Sequence, residues 1–265
     1  MQKKRTWSQL FCDCSGTRRR RRGDCCLQVT NIPINKPDLA IYSQDEEVSF
    51  GRQPTWDNPD ITTNLWGPFR LMESVQVRIT NRSEKTNAAN GLVNLYMGPF
   101  GIGMPFRLSS IQRVNILRGN AIDLSFPLEE SLRVGDTQRL SFKVVTQHPY
   151  DPNPINNQGS QCIDGRHTSL AGRHFSVDIP VRNPHPTARR RINLQVFPGE
   201  LGASIDWNTF EFTPLEEKVV HLAITVPGGF RETDDSSTKP HVTVLATHTS
   251  GQLLGGASII TKVDS

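Results

Sequence analysis

Four cysteines near the start of the chain are the residues whose type and spacing most directly suggest chemistry. The 265 residues include five cysteines, and four of them are Cys12, Cys14, Cys25 and Cys26. Four thiolates can hold a structural zinc ion in a tetrahedron, so we predict these side chains as candidate metal ligands. Their spacing differs from the usual pairs separated by about two to four residues. Disulfide bonds in an oxidising compartment, or reduced thiols on a flexible tail, therefore stay open as alternatives.

Five consecutive arginines lie between the two cysteine pairs: Arg18, Arg19, Arg20, Arg21 and Arg22. Residues 1–26 contain eight basic and two acidic side chains, a net charge of +6, whereas the rest of the chain carries −2. Adjacent like charges stay solvated, so we predict a disordered tail that docks as an electrostatic tether on an acidic partner surface. Nucleic acid and an acidic membrane surface are the alternative partners, although no aromatic residue is interleaved to stack on bases.

The rest of the chain offers few residues in spacings typical of catalysis. The sequence contains no HExxH pair, no nucleophile elbow, no P-loop and no dinucleotide-binding glycine motif. Cys162 with His167 lacks a third, orienting group, and His221 with His241 lacks a third metal ligand. We therefore predict a protein that is not an enzyme, has no small-molecule substrate and needs no cofactor. A site assembled in space from distant residues stays open.

One segment combines oxygen-bearing residues with prolines. Residues 151–157 read DPNPINN, and aspartate and asparagine oxygens suit calcium. The segment lacks the acidic density of an EF-hand loop, and its turn-forming residues explain it without an ion. We predict a rigid turn here.

The elements that must position these residues are predicted to be β-strands. Apolar and polar residues alternate in at least nine short segments, as at Val75, Val77 and Ile79. No segment shows the helical i, i+3, i+4, i+7 repeat, and none approaches the roughly 20 apolar residues of a membrane-spanning helix. The sequence therefore predicts an all-β fold. The bulky residues Trp207 and Phe212 are predicted to lie in its core.

The spacing of turns divides the chain into three parts. We predict a basic tail at residues 1–36, one β-sandwich at 37–165 and a second at 166–265, with a polar linker at 162–173. The tail composition cannot bury apolar surface, so the tail should not stabilise the rest. A long polar loop at 43–58 is a candidate recognition loop, and its Trp56 is predicted to contact a partner.

Several short motifs carry a family resemblance. The first half contains PDL at residues 37–39, TNR at 80–82, a turn at Gly119 and HPYDPNPINN at 148–157. In this order, residues 37–163 resemble the CARDB-type domain, a bacterial immunoglobulin-like sandwich named for cell-adhesion-related proteins. The loop at 43–58 departs from that family as an insertion. The resemblance implies an interaction role and supplies no catalytic residues.

The second half contains VxNP, INLQV, FxFxP and VVHLAITVP in that order. This pattern resembles immunoglobulin-like accessory domains of bacterial surface proteins. Together, the two resemblances imply two tandem immunoglobulin-like sandwiches.

Three functions compete on these grounds. The first is a non-catalytic structural or scaffold protein that mediates assembly with a protein partner or with itself, its tail docked on an acidic surface. The second is an adhesion or ligand-binding module that recognises protein or glycan through loops such as 43–58 and 232–239. The third is a nucleic-acid- or membrane-associated protein acting through the arginines. The first residues lack the apolar run of a classical signal peptide, so we expect a cytoplasmic or non-classically exported assembly.

Overall fold

The computed structural model describes residues 35–63, 74–128, 140–228, 230 and 240–264. Two sets of predicted site residues lie outside this part of the chain. They are the candidate metal ligands Cys12, Cys14, Cys25 and Cys26 and the arginines Arg18, Arg19, Arg20, Arg21 and Arg22. The predicted recognition loop at 232–239 also lies outside it.

The first half of the described chain forms a two-layered sandwich. Its elements are β1 (Leu39–Ala40), α1 (Gln44–Ser49), β2 (Ile61–Thr62), β3 (Ser74–Asn81), β4 (Ala88–Pro99), β5 (Arg107–Ile116), β6 (Ala121–Pro127), β7 (Leu140–Gln147) and a 3-10 turn (Pro154–Asn156). One layer has β3 at its centre, with β1 and β2 along one edge and β6 along the other. The other layer contains β7, β4 and β5. The alternation in β3 buries Val75, Val77 and Ile79 between the layers, as predicted.

The second half repeats this architecture. Its strands are β8 (Gln158–Leu170), β9 (His174–Arg182), β10 (Arg190–Phe197), β11 (Gly202–Ile205), β12 (Thr209–Phe212), β13 (Glu217–Thr225), β14 (His241–His248) and β15 (Leu253–Asp264). One layer has the order β11-β13-β9, and the facing layer has the order β12-β10-β14-β15-β8. The prediction of an all-β fold with two sandwiches is confirmed. No helix in the described part of the chain is long and apolar enough to cross a membrane.

A single strand joins the two sandwiches. The first part of β8 pairs antiparallel with β7, and the second part pairs in parallel with β15 from Ile163 onward. The result is one continuous eight-stranded sheet with the order β12-β10-β14-β15-β8-β7-β4-β5. The interpretation of residues 162–173 as a polar linker is therefore wrong, because most of that segment is hydrogen-bonded strand. The predicted boundary between residues 165 and 166 lies inside β8.

The loop between β4 and β5 fastens the first sandwich to the second. The Ile102 amide donates to the carbonyl of Pro180 at 2.8 Å, and the Arg182 amide donates to the carbonyl of Ile102 at 2.9 Å. Ile102 and Phe100 are buried in the core of the second sandwich. Gly103 follows with φ +70°, and a β-carbon there would collide with the Arg182 carbonyl. The two sandwiches are therefore joined by backbone pairing and by a shared core.

Trp56 is a core residue, which corrects the prediction that it contacts a partner. Its side chain is only 2% exposed and packs in the core of the second sandwich. Its amide donates to Ser258 Oγ at 3.2 Å, and its carbonyl accepts from the Cys162 amide at 3.0 Å. A β-carbon on Gly256 would collide with the indole ring. Because the ring is enclosed on these sides, it offers no surface to a partner.

The loop at 43–58 is folded against β8. It contains the six-residue helix α1, which begins after the capping residue Ser43. The buried side chain of Gln44 donates to the carbonyls of Thr55 and Ser160 at 2.8 and 2.6 Å and accepts from the Ser160 amide. The Gln44 side chain thus forms hydrogen bonds with the backbone C=O and N–H groups of Ser160 in β8, as a neighbouring strand would. These bonds hold the polar segment in place.

A buried asparagine closes the first sandwich at the end of β3. The amide nitrogen of Asn81 donates to the carbonyls of Thr86 and Ile116, and its Oδ1 accepts from the Ser83 amide two residues later. Its backbone amide donates to the carbonyl of Asn120. One side chain therefore satisfies the backbone groups of two loops at this corner.

The second sandwich has the same device at the end of β9. The amide nitrogen of Asn183 donates to the carbonyls of Ala188 and Thr213, and its Oδ1 accepts from the His185 amide. Its backbone amide donates to the carbonyl of Glu216. Both asparagines are fully buried and bond the carbonyl five residues later and the amide two residues later. The two halves thus share a local structure as well as an architecture.

Candidate functional site

The structure gives Cys162 and His167 separate surroundings. Cys162 is 3% exposed, and its Sγ lies 3.6 Å from the carbonyl of Gly101. Burial raises the pKa of the Cys162 thiol to about 11, so the thiol is protonated at neutral pH and is a poor nucleophile. His167 stacks on Phe175, and its Nε2 lies 3.4 Å from Asp164. These contacts support structural roles for both residues.

His221 and His241 are far apart in the topology. His221 lies on β13, where its Nδ1 is 2.7 Å from Asp178 Oδ1 on the exposed face of that sheet. His241 lies on β14 in the facing sheet. Among the residues that the structure describes, no group of three or more His, Cys, Asp or Glu side chains is placed to hold a metal ion.

The segment at 151–157 uses its oxygens within the protein. Asp151 accepts from the amides of Leu39 and Asn153 at 2.7 and 2.9 Å. The Asn156 amide nitrogen donates to Asp38 Oδ1 at 2.8 Å. These hydrogen bonds fasten the 3-10 turn to β1, as expected of a rigid turn.

Trp207 and Phe212 were both predicted to lie in the core, but they differ in solvent exposure. Phe212 is 1% exposed and packs in the core of the second sandwich, as predicted. Trp207 is 71% exposed, so its prediction is wrong. It lies in the connection between β11 and β12, which belong to different sheets, so neither sheet covers it. A single exposed aromatic residue is ordinary, so a binding role for Trp207 depends on what lies next to it.

A polar groove lies beside this connection on the outer face of the larger sheet. Ile192 and Leu194 of β10 point into the core, so Asn193 and Gln195 point outward. Asn193 pairs with Thr209 on one neighbouring strand and with Thr247 on the other, which places all three on the same face. The groove has a volume of about 570 Å³. Several strands therefore contribute polar side chains to one surface.

The Thr209 hydroxyl lies between the amide oxygens of two groove residues. Its Oγ1 lies 3.1 Å from Asn193 Oδ1 and 3.4 Å from Asn208 Oδ1. The hydroxyl carries one proton and the oxygen of Asn193 is the nearer acceptor, so the NH₂ group of Asn193 is left as a donor for a ligand. The Leu194 amide also donates to the Asn208 carbonyl at 2.7 Å, which holds Asn208 against β10.

The groove has no charged lining among the described residues. It is lined by asparagine, glutamine, threonine, serine, leucine, glycine and one histidine, His248. Burial, followed by the nearby charges of Arg190 and His185, lowers the pKa of His248, so its ring is neutral at physiological pH. The arrangement can hold a polar, uncharged ligand and offers no pair of carboxyl groups for acid–base chemistry.

A basic patch lies next to the groove. Arg189, Arg190 and Arg191 are exposed and form no ion pair with another described residue. They border a cleft of about 420 Å³ together with Glu216 and Lys218, which lie 3.5 Å apart. The net charge of −2 outside residues 1–26 conceals these three arginines, because acidic residues elsewhere in the chain balance them.

Sequence reasoning also missed the groove. A signal was present, because alternation in β10 sets Asn193 and Gln195 opposite the apolar Ile192 and Leu194. A polar outer face is ordinary for a strand, however. Only the strand order, which brings β12 and β14 to either side of β10, shows that these residues share a groove.

No family model and no curated protein matches the chain. Among solved structures, alpha-2-macroglobulin of Escherichia coli activated by porcine elastase is similar at 9% identity and a TM-score of 0.28 over 86% of this chain and 22% of that one. The CupB6 tip adhesin of Pseudomonas aeruginosa is similar at 8% identity and a TM-score of 0.23 over 87% and 97%.

The exo-chitosanase CsxA of Amycolatopsis orientalis is similar at 9% identity and a TM-score of 0.28 over 76% of this chain and 26% of that one. This chain thus spans only about a quarter of the macroglobulin and chitosanase chains. Similarity at this level carries no argument about function, which must come from the site itself.

Proposed function

We propose that this chain is a non-catalytic binding module in which two sandwiches form one rigid support and the Trp207 groove is the recognition surface. The observation that carries the proposal is an uncharged polar groove whose lining residue Asn208 directly follows the exposed Trp207. Rigid support lowers the entropic cost of binding, because most of the groove residues lie on β10, β12 and β14 of a continuous sheet.

The chemistry of the described side chains supports a non-catalytic role. The only cysteine described, Cys162, has a thiol held protonated by burial. The His221–Asp178 pair lies on an open sheet face where both side chains are about 60% exposed, so water competes with the pair. Neither group lines the groove.

Binding of the labelled protein to the surfaces of the source cells, and to their soluble fractions immobilised on beads, tests this proposal. Full-length chain carrying a fluorescent label should be retained by one fraction, and Trp207→Ala should lose most of that retention. Tyr150→Ala is the matched control, because Tyr150 is an aromatic residue that is 66% exposed on the first sandwich. Equal retention of the wild type and Trp207→Ala would overturn the assignment of the groove.

A second function, assembly through the tail, is favoured by the charge partition. Residues 1–26 carry +6 against −2 for the rest of the chain. We propose that the tail docks on an acidic partner surface or on another copy of the chain. Each basic residue near an anionic membrane surface is worth roughly 1 kcal/mol, within a screening length of about 8 Å at physiological salt.

Replacing the five arginines with glutamine separates this function from a cysteine-based one. The replacement should weaken tail-dependent binding strongly at low salt and little at high salt. A loss seen only when the four tail cysteines are changed to serine would instead point to a metal or disulfide staple. Light scattering after size exclusion, with and without residues 1–26, shows whether the partner is a second copy.

We also propose that residues 37–163 form a CARDB-type domain. Residues from its three quoted motifs meet in one hydrogen-bonded network, which supports this assignment. The Asp38 amide donates to Asn81 Oδ1 at 3.2 Å, and Asp38 Oδ1 accepts from Asn156. The Arg82 amide donates to the carbonyl of Asp38 at 2.8 Å. The motifs thus explain one another as a structural unit, and no catalytic role is needed for them.

A further inference from the structure

We infer that the Trp207 groove binds an uncharged oligosaccharide. This rests on the proposed function, which makes the groove a recognition surface, and it adds the chemical class of the ligand. Three features support it: the hydrogen-bonding character of the lining, the exposed indole one residue before Asn208, and the absence of charged side chains from the described lining.

The lining matches a ligand that both donates and accepts many hydrogen bonds. Asn193, Gln195 and Asn208 each carry an amide, and Thr209 and Thr247 each carry a hydroxyl. An apolar ligand would bury these groups without partners, at a cost of about 1–3 kcal/mol each. A charged ligand would find no opposite charge among the described lining residues. Sugar hydroxyls satisfy both donors and acceptors and carry no charge.

Trp207 supplies the apolar contact that a sugar ring requires. A pyranose presents a face of C–H groups, which packs on an aromatic ring while its hydroxyls point sideways to polar neighbours. Trp207 directly precedes Asn208, whose carbonyl is held by the Leu194 amide. The chain thus places a 71% exposed indole beside the first polar group of the groove. Trp207 is not itself a lining residue, so a ligand in the groove must extend past Asn208 to stack on the indole.

The dimensions and order of the groove also fit this ligand. A volume of about 570 Å³ lies within the range of about 300–1,000 Å³ that is typical of ligand sites, which is ample for a short oligosaccharide. The Thr209 hydroxyl holds the Asn193 amide, so a ligand need not reorder that side chain.

The nearby arginines allow a test of whether the ligand is uncharged. Arg191 lies two residues before Asn193 on the same face of β10, where it pairs in register with Glu211 of β12. Neither residue lines the groove. An uncharged ligand in the groove should therefore bind with little dependence on salt, whereas an acidic ligand reaching Arg191 should bind less tightly as salt rises.

The experiment uses the full chain on an array of neutral and acidic oligosaccharides, followed by calorimetry with the best neutral binder. We expect Trp207→Ala and Asn193→Ala each to lower affinity at least tenfold, and Trp207→Phe to keep part of it. Tyr150→Ala and Arg191→Gln should bind as the wild type does. Affinity should change less than threefold between about 50 and about 500 mM NaCl. Melting temperatures of all variants verify that each is folded.

Three outcomes would overturn the inference. They are no binding of the wild type to any neutral oligosaccharide, undiminished binding by Trp207→Ala, and salt-dependent binding of acidic glycans that Arg191→Gln abolishes. If no sugar binds but Trp207→Ala still loses retention on cell fractions, the ligand class is wrong and the recognition surface stands. If Trp207→Ala changes neither measurement, the proposed function fails as well.

Discussion

Each sandwich has a corner built around a buried asparagine, but the surroundings of the two corners differ. In each, a buried asparagine at the end of a strand bonds the amide two residues later and the carbonyl five residues later. The Asn81 side chain also accepts from Asp38, which ties in β1, whereas Asn183 has no such described partner. The shared bonds maintain the architecture, so function should lie where the halves differ.

The exposed surfaces of the halves differ most. Trp56 belongs to the first sandwich, but its side chain packs in the core of the second sandwich. In the second, Trp207 faces solvent beside a groove. A tryptophan thus holds the two sandwiches together in one half and, we propose, recognises a ligand in the other. This contrast cautions against assigning a role to an aromatic residue from its type alone.

Truncating Phe212 has the largest expected effect on this comparison. Phe212→Ala should lower the free energy of unfolding by about 3–5 kcal/mol, because a fully buried ring is lost. Trp207→Ala should change it by less than about 0.5 kcal/mol. Urea titration followed by circular dichroism measures both. Because β8 belongs to both sandwiches, Phe212→Ala should shift one transition for the whole chain. Two separate transitions would mean that the sandwiches unfold independently.

The asparagine corners come next in expected effect. Asn81→Ala removes a buried side chain with four described partners, and Asn183→Ala removes one with three. Each buried group left unsatisfied costs about 1–3 kcal/mol, less where water can enter. We expect losses of about 3 kcal/mol for Asn81→Ala and about 2 kcal/mol for Asn183→Ala, measured by the same titration.

Isosteric variants check that hydrogen bonds cause these losses. Asn81→Asp and Asn183→Asp keep the oxygen that accepts from backbone amides and lose the two donated bonds. Each should be destabilising, because the donated bonds are lost and a carboxylate is buried against carbonyl oxygens. Undiminished stability in either aspartate variant would show that the donated bonds contribute little, and the shared corner would then be a matter of shape.

Much of the fold was predictable from the sequence because burial follows a short period in strands. Val75, Val77 and Ile79 alternate with polar residues, and each is buried as expected. The error at residues 162–173 has a physical reason. The centre of β8 is covered on both faces, so Cys162, Ile163 and Asp164 are all buried and no alternation marks the strand.

The candidate site was less predictable because it depends on strand order. Phe212 was correctly placed since it lies within an alternating strand, whereas Trp207 lies in a connection whose path between sheets is not encoded by periodicity. Trp56 was misplaced because its polar neighbours suggested an exposed loop. Its enclosure depends on Gly256, 200 residues later, which leaves room for the ring.

Two glycines test how firmly the sandwiches are joined. Gly103 and Gly119 have similar φ values of +70° and +67°, so alanine costs roughly 1–2 kcal/mol in backbone strain at either position. At Gly119 the added methyl meets open space, whereas at Gly103 it meets the Arg182 carbonyl. We expect Gly103→Ala to cost about 1–3 kcal/mol more than Gly119→Ala, because the Ile102 segment must move from β9. Equal costs would mean that this contact contributes little to the union of the sandwiches.

The smallest expected effect comes from a position that is glycine in one corner and leucine in the other. Gly119 donates its amide to the carbonyl of Ser83, two residues after Asn81, and Leu215 donates to the carbonyl of His185, two residues after Asn183. Both lie in the left-handed region, Gly119 at φ +67° and Leu215 at φ +58°. Leucine pays about 1–2 kcal/mol for this conformation, and its side chain is largely exposed, so little burial compensates.

Leu215→Gly should therefore stabilise the protein, in contrast to nearly every other substitution in a sheet corner. Relief of the left-handed strain is partly offset by about 0.5–1 kcal/mol from the greater freedom of glycine in the unfolded chain. A net gain of about 0.5–1 kcal/mol should appear as a higher urea midpoint with an unchanged slope. The reciprocal Gly119→Leu should lose about 1–2 kcal/mol. If Leu215→Gly destabilised the chain, the leucine would be making contacts that offset its strain, and the two corners would be equivalent in path but not in energetics.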